Sequence, residues 1–186
     1  MSRILGIDCG KDGYLAVVEN MADLPTCHAV PTLRLSQKKQ NRDYNVAEMV
    51  QLVKRLNPDF VVIEKQQAFP GQGSVSTGSL MYGFGLWEGI ISGLEIQHYI
   101  VHPKTWQAKW LKNMKGDDTK TRTVNFVRSL YPTISLLRTE RCSVAHQGKA
   151  DAVAIALWGL DFYSQQESMT KSSQKEVESI DYSNLF

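Results

Sequence analysis

Short apolar runs alternate with longer stretches of helical period along this chain. Ile4, Leu5 and Ile7 form a run that ends on Asp8, and Tyr14 to Val18 form a second. Between them Cys9-Gly10-Lys11-Asp12-Gly13 reads as a tight turn, because glycine tolerates positive φ, so the chain is expected to open with a β-hairpin. Thr26 to Val30 predicts a third strand, and the polar, basic residues 34–45 (Arg34, Lys38, Lys39, Arg42) predict a loop. Val46, Met49, Val50, Val53 and Leu56 recur at helical spacing and predict a helix over 46–56, stopped by Asn57-Pro58. Phe60-Val61-Val62-Ile63 is continuously apolar and ends on Glu64, the pattern of a central strand covered on both faces.

Residues 65–78 are rich in glycine and serine and predict a loop, followed by a helix from Leu80 to Leu94. That helix carries Gly83, Gly85, Gly89 and Gly93; glycine weakens a helix, so four of them predict very close backbone packing. Ile96 to Val101 is a fifth strand. Lys104 to Asn113 and Thr121 to Leu130 predict basic-aromatic helices on either side of Met114 to Asp118. A polar loop over 138–149 precedes a strongly apolar helix from Ala150 to Tyr163. From Gln165 the composition turns to Ser, Gln, Glu and Lys, which predicts a tail without order over 165–186 beyond a single domain, 1–164.

The resulting order, βββ-α-β-α-β-α-α, predicts an α/β protein with a five-stranded mixed sheet flanked by helices. It belongs to the ribonuclease H-like class and equally to some nucleotide-binding folds. The 186 residues suit one domain with a full core. A net charge of +2 does not by itself announce a nucleic-acid binder, so any basic surface must come from local clustering. Three cysteines, an odd count without a CxxC, argue against a disulfide framework or a zinc site. The strand that follows Met1 almost at once leaves no room for a leader, and the apolar runs are too short for a bilayer. The expectation is a soluble cytoplasmic protein of a bacterium or of a phage-infected cell, with no membrane partner.

Three acids stand where such a fold builds its site. Asp8 ends the first strand, Glu64 ends the central strand and Asp151 opens the last helix. Three carboxylates delivered to one edge repel one another unless a cation neutralises them, and an all-oxygen ligand set favours Mg²⁺ or Mn²⁺. Two such ions about 4 Å apart can activate water and stabilise the leaving 3′ oxygen in phosphodiester hydrolysis. Each acid taken singly also fits a humbler role, as a turn-former or a helix-dipole partner.

Ile4-Leu5-Gly6-Ile7-Asp8, Val61-Val62-Ile63-Glu64-Lys65-Gln66 and His146-Gln147-Gly148-Lys149-Ala150-Asp151-Ala152 together resemble the RuvC-like crossover junction endodeoxyribonucleases. Phe69-Pro70-Gly71, Tyr82 to Gly89, Pro103-Lys104-Thr105-Trp106 and Leu130-Tyr131-Pro132 resemble the phage and plant-chloroplast branch of that family. The resemblance covers roughly residues 3–160. It implies a ribonuclease H-like fold, a homodimer, and symmetric nicking of two opposed strands of a four-way (Holliday) or otherwise branched DNA. It implies Asp8, Glu64 and Asp151 as ligands for two Mg²⁺ or Mn²⁺ ions, and Lys120 as a lysine near the metals. One departure stands out: relatives usually carry a fourth acid or a histidine a few residues before the last aspartate, many of them an aspartate at the position of Gln147; here Gly148 stands three residues before Asp151, and His146 and Gln147 are the available substitutes. His146 could bind metal or assist the attacking water; a solvated loop histidine is the other reading.

For DNA, Phe69 in the glycine-rich loop could wedge at the open centre of a junction, or fold back on the core. Gln72, Lys104, Lys109, Lys120 and Lys149 are candidate phosphate contacts, set in a basic stretch with Trp106 and Trp110 interleaved. The apolar helix over 80–94 suits a dimer interface, a core face, or both on opposite sides; two active sites on one junction require two-fold symmetry. Two other functions fit less well: an actin-like ATPase, suggested by Gly6-Ile7-Asp8-Cys9-Gly10 with Gly13, though that fold needs two such domains, and a junction-binding protein without cleavage, suggested by Gln147 and Gly148. A broader cutter of flaps and branches is a related alternative.

Overall fold

A computed structural model describes residues 2–36, 42–67, 71 and 73–178. Five strands make one sheet in the order β3-β2-β1-β6-β7: β1 (Ile4–Ile7), β2 (Tyr14–Val18), β3 (Thr26–Ala29), β6 (Phe60–Glu64) and β7 (His98–Val101). β1 runs antiparallel to β2 and parallel to β6, and β6 runs parallel to β7, so the sheet is mixed, as the element order predicts. Of the remaining elements, β4 (Thr32–Arg34) pairs with β5 (Arg42–Tyr44) in a separate two-stranded ribbon. Five helices complete the described chain: α1 (Val46–Leu56), α2 (Ser74–Gly93), α3 (Pro103–Leu111), α4 (Thr119–Leu130) and α5 (Gln147–Glu178). No described helix is long and apolar enough to cross a membrane.

The pleat sends successive side chains of β1 and β6 to opposite faces. Leu5, Ile7, Val61 and Ile63 join Met49, Val53, Trp87 and Ile91 in the core beneath α1 and α2. Ile4, Phe60 and Val62 join Trp106, Phe126, Val153 and Leu157 in the core beneath α3, α4 and α5. The alternation continues past the apolar runs, so Asp8, four residues beyond Ile4, and Glu64, two beyond Val62, are carried toward the α3–α5 side. The register aligns Ile7 with Ile63, which puts Asp8 and Glu64 at the same level of neighbouring strands.

α5 approaches the sheet almost to contact. A Cβ built on Gly6 would lie 2.4 Å from the Ala156 nitrogen and 2.5 Å from the Ala152 oxygen, and one on Gly159 would lie 2.5 Å from Val62 Cγ2. Small residues on both sides let backbone pack on backbone. That closeness brings Asp151, on the first turns of α5, up to the end of β1.

Several boundaries differ from the sequence reading, each for a physical reason. α2 begins at Ser74 rather than Leu80, because Ser74 to Ser79 lack an apolar stripe to announce a helix. The loop expected over 34–45 holds β5, which pairs with β4 just before it; each strand is three residues long and partly exposed, so no alternation marks them. α5 begins at Gln147 and its backbone stays helical through Glu178, although the apolar period that predicts it stops near Tyr163. The segment expected to lack order from Gln165 is therefore helical as far as Glu178; residues 179–186 fall outside the described chain. Close packing of the α2 glycines holds only at Gly83, whose Cβ would meet Tyr44 Oη at 2.1 Å; Gly78, Gly85, Gly89 and Gly93 have nothing within 4 Å.

Candidate carboxylate site and basic cleft

Asp8, Glu64 and Asp151 come together at the end of the sheet, half-buried, with protein packed closely enough around them that desolvation dominates their acidity. Burial holds the Asp8 carboxyl well above the usual carboxylate range, and the charges of Asp151 and Glu64 raise it further. Burial raises Glu64 as well. Asp151 is pushed up to about 7, by burial first and Glu64 second, against the opposing pull of Gln147, Thr123 and Lys120. No salt bridge reaches any of the three among the described residues.

Neutral donors hold them instead. Trp106 Nε1 donates to Glu64 Oε1 at 2.9 Å, and Gln66 Nε2 donates to Glu64 Oε2 at 3.3 Å. Gln147 lies near enough to Asp151 to pull its pKa down. The Thr123 hydroxyl, on the buried face of α4, lies within reach of Asp151 and of the Thr119 carbonyl, the latter at 2.9 Å. Among the described residues no three His, Cys, Asp or Glu side chains stand close enough together to enclose a metal ion as they are. The donor chemistry nonetheless fits a hard divalent cation: three oxygen-bearing acids with elevated proton affinity, mutual repulsion and no cationic side chain bonded to them.

Gly148, one of the two positions at which a fourth acid could be missing, is closely surrounded. A Cβ on Gly148 would sit 2.8 Å from Asp8 Oδ2, 3.1 Å from the Asp12 carbonyl oxygen and 3.3 Å from His146 Cε1. Asp8 thus occupies the space a side chain at 148 would need. The same contacts place the His146 ring beside Asp8. The His146 ring packs tilted against Tyr14, centroids 4.8 Å apart, its Nδ1 is buried without a partner among the described residues, and burial followed by Arg138 lowers its pKa. Asp12 pairs with Arg42 at 2.9 Å and with Arg138, tying the β1–β2 turn to β5 and to the loop before α5.

The candidate DNA contacts divide into engaged and open groups. The Lys149 ammonium donates to the Leu137 carbonyl at 2.6 Å and lies over the Tyr14 ring, so it is turned inward to hold the preceding loop. Lys109 pairs with Asp161 and lies 4.8 Å from the Trp110 ring centroid. Lys104 and Lys120 are exposed and have no ion pair among the described residues. Lys104 lines a cleft of about 320 Å³ between α3 and α4 with Gln107, Ala108, Leu111, Lys112, Thr119 and Arg122: three cations and no acid. Phe69 and Gln72 lie outside the described residues.

Sequence reasoning did not single out Trp106 or Thr123 as neighbours of the acids. The signal available for Trp106 was an indole, whose N–H usually finds a polar partner when buried, in a segment otherwise marked by its resemblance. Thr123 carries no sequence signal of its own.

Among solved structures, the chain is similar to Thermus thermophilus RuvC in complex with a Holliday junction substrate, at 18% identity and a TM-score of 0.56, covering 84% of this chain and 92% of that one. It is similar to a further structure of Thermus thermophilus RuvC at 20% identity and a TM-score of 0.52, covering 89% and 96%. It is also similar to the yeast mitochondrial Holliday junction resolvase Ydc2, at 14% identity and a TM-score of 0.53, covering 83% and 76%. No protein-family model matches the chain, and no curated protein matches it. Likeness at these identities establishes architecture: the chain has the ribonuclease H-like fold of RuvC.

Proposed function

We propose that this chain, built on the RuvC fold, is a metal-dependent endonuclease that resolves four-way DNA junctions. The observation that carries the reading is the meeting of Asp8, Glu64 and Asp151 from two parallel strands and the helix packed across them, mutually coupled and without a cationic side chain bonded to them. Asp8, Glu64 and Asp151 would hold Mg²⁺ or Mn²⁺, two ions per site, with Trp106 bonded to Glu64. Bound metal supplies an activated water and neutralises charge on the leaving oxygen. His146, beside Asp8 and held toward its neutral form, is placed to accept a proton. Lys120, near enough to stabilise the Asp151 carboxylate, is placed to counter charge on the phosphate.

The basic cleft supports DNA as the substrate. Lys104, Lys112 and Arg122 surround it without an acid, and α3 and α4 present Trp106 and Thr123 to the acids. Phosphate contacts therefore belong to these residues rather than to Lys109 and Lys149. A homodimer follows from the symmetry of the substrate, and α2 supports it: Gly85, Gly89 and Gly93 leave an open surface, beside Val75, 86% exposed, and Tyr82, 52% exposed.

Purified protein is expected to nick a synthetic four-way junction in two opposed strands with Mg²⁺ or Mn²⁺, and Asp8→Asn is expected to reduce the rate about a thousandfold or more. Junctions bound in a gel shift but left intact in both metals would favour a binding protein without cleavage, the reading that the closed position at Gly148 supports. Equal cutting of flaps and junctions would broaden the substrate class.

A further inference from the structure

Four tryptophans occur in the chain, and their indole N–H groups are treated differently. Those of Trp87 and Trp110 are buried with no hydrogen-bond partner, so this fold tolerates an unpaired indole. The Trp106 ring is 1% exposed, packed in the core beneath α3, α4 and α5, and its N–H is aimed at Glu64 Oε1, 2.9 Å away. We propose that Trp106 is a positioning residue: its rigid indole fixes one oxygen of Glu64 and thereby presents the other, Oε2, to the cation. The inference rests on the metal-dependent reading of the site.

The chemistry of the donor makes the difference. An indole N–H donates only, and it neither accepts a bond nor changes charge. A lysine or arginine in its place would neutralise Glu64 and compete with the cation. A serine could rotate and turn its lone pairs to the acid. The indole does neither, and its packing in the core removes the freedom to follow Glu64 elsewhere. The other oxygen, Oε2, is held only by Gln66 at 3.3 Å, a longer bond from a side chain outside the core. Glu64 is therefore set up as a ligand through one oxygen, with Gln66 as the partner that gives way. Groups that hydrogen-bond metal ligands typically contribute ten- to a hundredfold in metal affinity.

The test is Mn²⁺ binding to the full chain without DNA, read by electron paramagnetic resonance of the free ion, for wild type, Trp106→Phe, Glu64→Gln and the double variant. Phenylalanine keeps a ring in the core and deletes the donor. Trp106→Phe is expected to weaken Mn²⁺ binding about tenfold or more, with near-unchanged junction affinity in EDTA. In the Glu64→Gln background the same change is expected to cost nothing further, because Trp106 acts through Glu64. Wild-type affinity in Trp106→Phe overturns the proposal, as does an equal loss in both backgrounds, which marks a purely structural effect. Should Trp106→Phe fold poorly, the wild-type protein still decides: the assigned Trp106 indole N–H resonance is expected to shift and stay protected from exchange as Mg²⁺ is added, and its release to solvent overturns the proposal. Failure of the wild type to bind Mn²⁺ at all would instead overturn the metal-dependent reading of the site.

Discussion

The two faces of the central sheet are made from the same strands and do opposite things. On one, Ile7, Ile63, Trp87 and Ile91 lie in a core beneath α1 and α2. On the other, residues one step along the same strands deliver Asp8 and Glu64 to Asp151, Trp106 and Thr123. Parity along a strand separates them: a shift of one residue would bury the acids under α1 and α2 and carry Ile7 and Ile63 to the α3–α5 side. The helices differ as well. α5 meets the sheet backbone to backbone through Gly6, whereas α2 touches closely only at Gly83 and turns its other glycines outward.

That contrast is broken most forcefully at Gly6. Valine there must displace α5, and Gly6→Val is expected to destabilise the protein by about 3 kcal/mol or more and to abolish metal binding. Normal urea unfolding of this variant would mean that α5 is not seated as described.

The charged face gives the next effect. Asp151 binds its proton more tightly when folded, with a value of about 7 against 3.8. Its contribution to stability is complete below 3.8 and is lost as pH rises through about 7. In EDTA the difference in unfolding free energy between Asp151→Asn and wild type should therefore grow in favour of the variant as pH rises from 4 to 8, reaching on the order of 2 kcal/mol after allowance for the solvent Asp151 retains. Parallel profiles from the two proteins would contradict the burial of this carboxylate.

The opposite face is expected to respond without loss of fold. Gly89→Leu meets open space and a helix-favouring residue, so the monomer should be as stable as wild type or more so. The proposed dimer should dissociate about tenfold more readily in this variant, about 1.4 kcal/mol, in analytical ultracentrifugation. A dimer unaffected by the change would move the interface off α2.

The smallest effects separate the lysines. Changing Lys104, Lys112 or Arg122 to Gln should each lower the salt dependence of junction binding by about one counterion. Lys109→Gln, with its ammonium already paired to Asp161, should lower it less. Identical slopes for all four would remove the distinction between engaged and open cations.

Much of this arrangement was legible in the sequence. The five strands carry uninterrupted apolar runs or strong β character, and Asp8 and Glu64 stand at the ends of two of them. What escaped had no periodic signature. The β4–β5 ribbon is too short and polar to show alternation, and the polar start of α2 has no stripe. The helix through Glu178 outlasts its apolar period. Gly148 read as a lost ligand because sequence shows which side chain is missing, while only the fold shows that Asp8 fills its space. The inward turn of Lys149 was equally hidden, since a lysine beside an acid motif looks the same whether it faces solvent or the Leu137 carbonyl.

The contact between Gly6 and α5 also governs how this chain can diverge. The gap between β1 and α5 is set by main-chain atoms of Ala152 and Ala156 against Gly6 and by the Ile4 and Val62 side chains against Gly159. Substitutions spread over the outer surfaces of α3, α4 and α2 leave that gap untouched. Mutational drift can therefore rewrite those outer surfaces while the carboxylates keep their separation, and the positions denied such freedom are among the smallest residues in the chain.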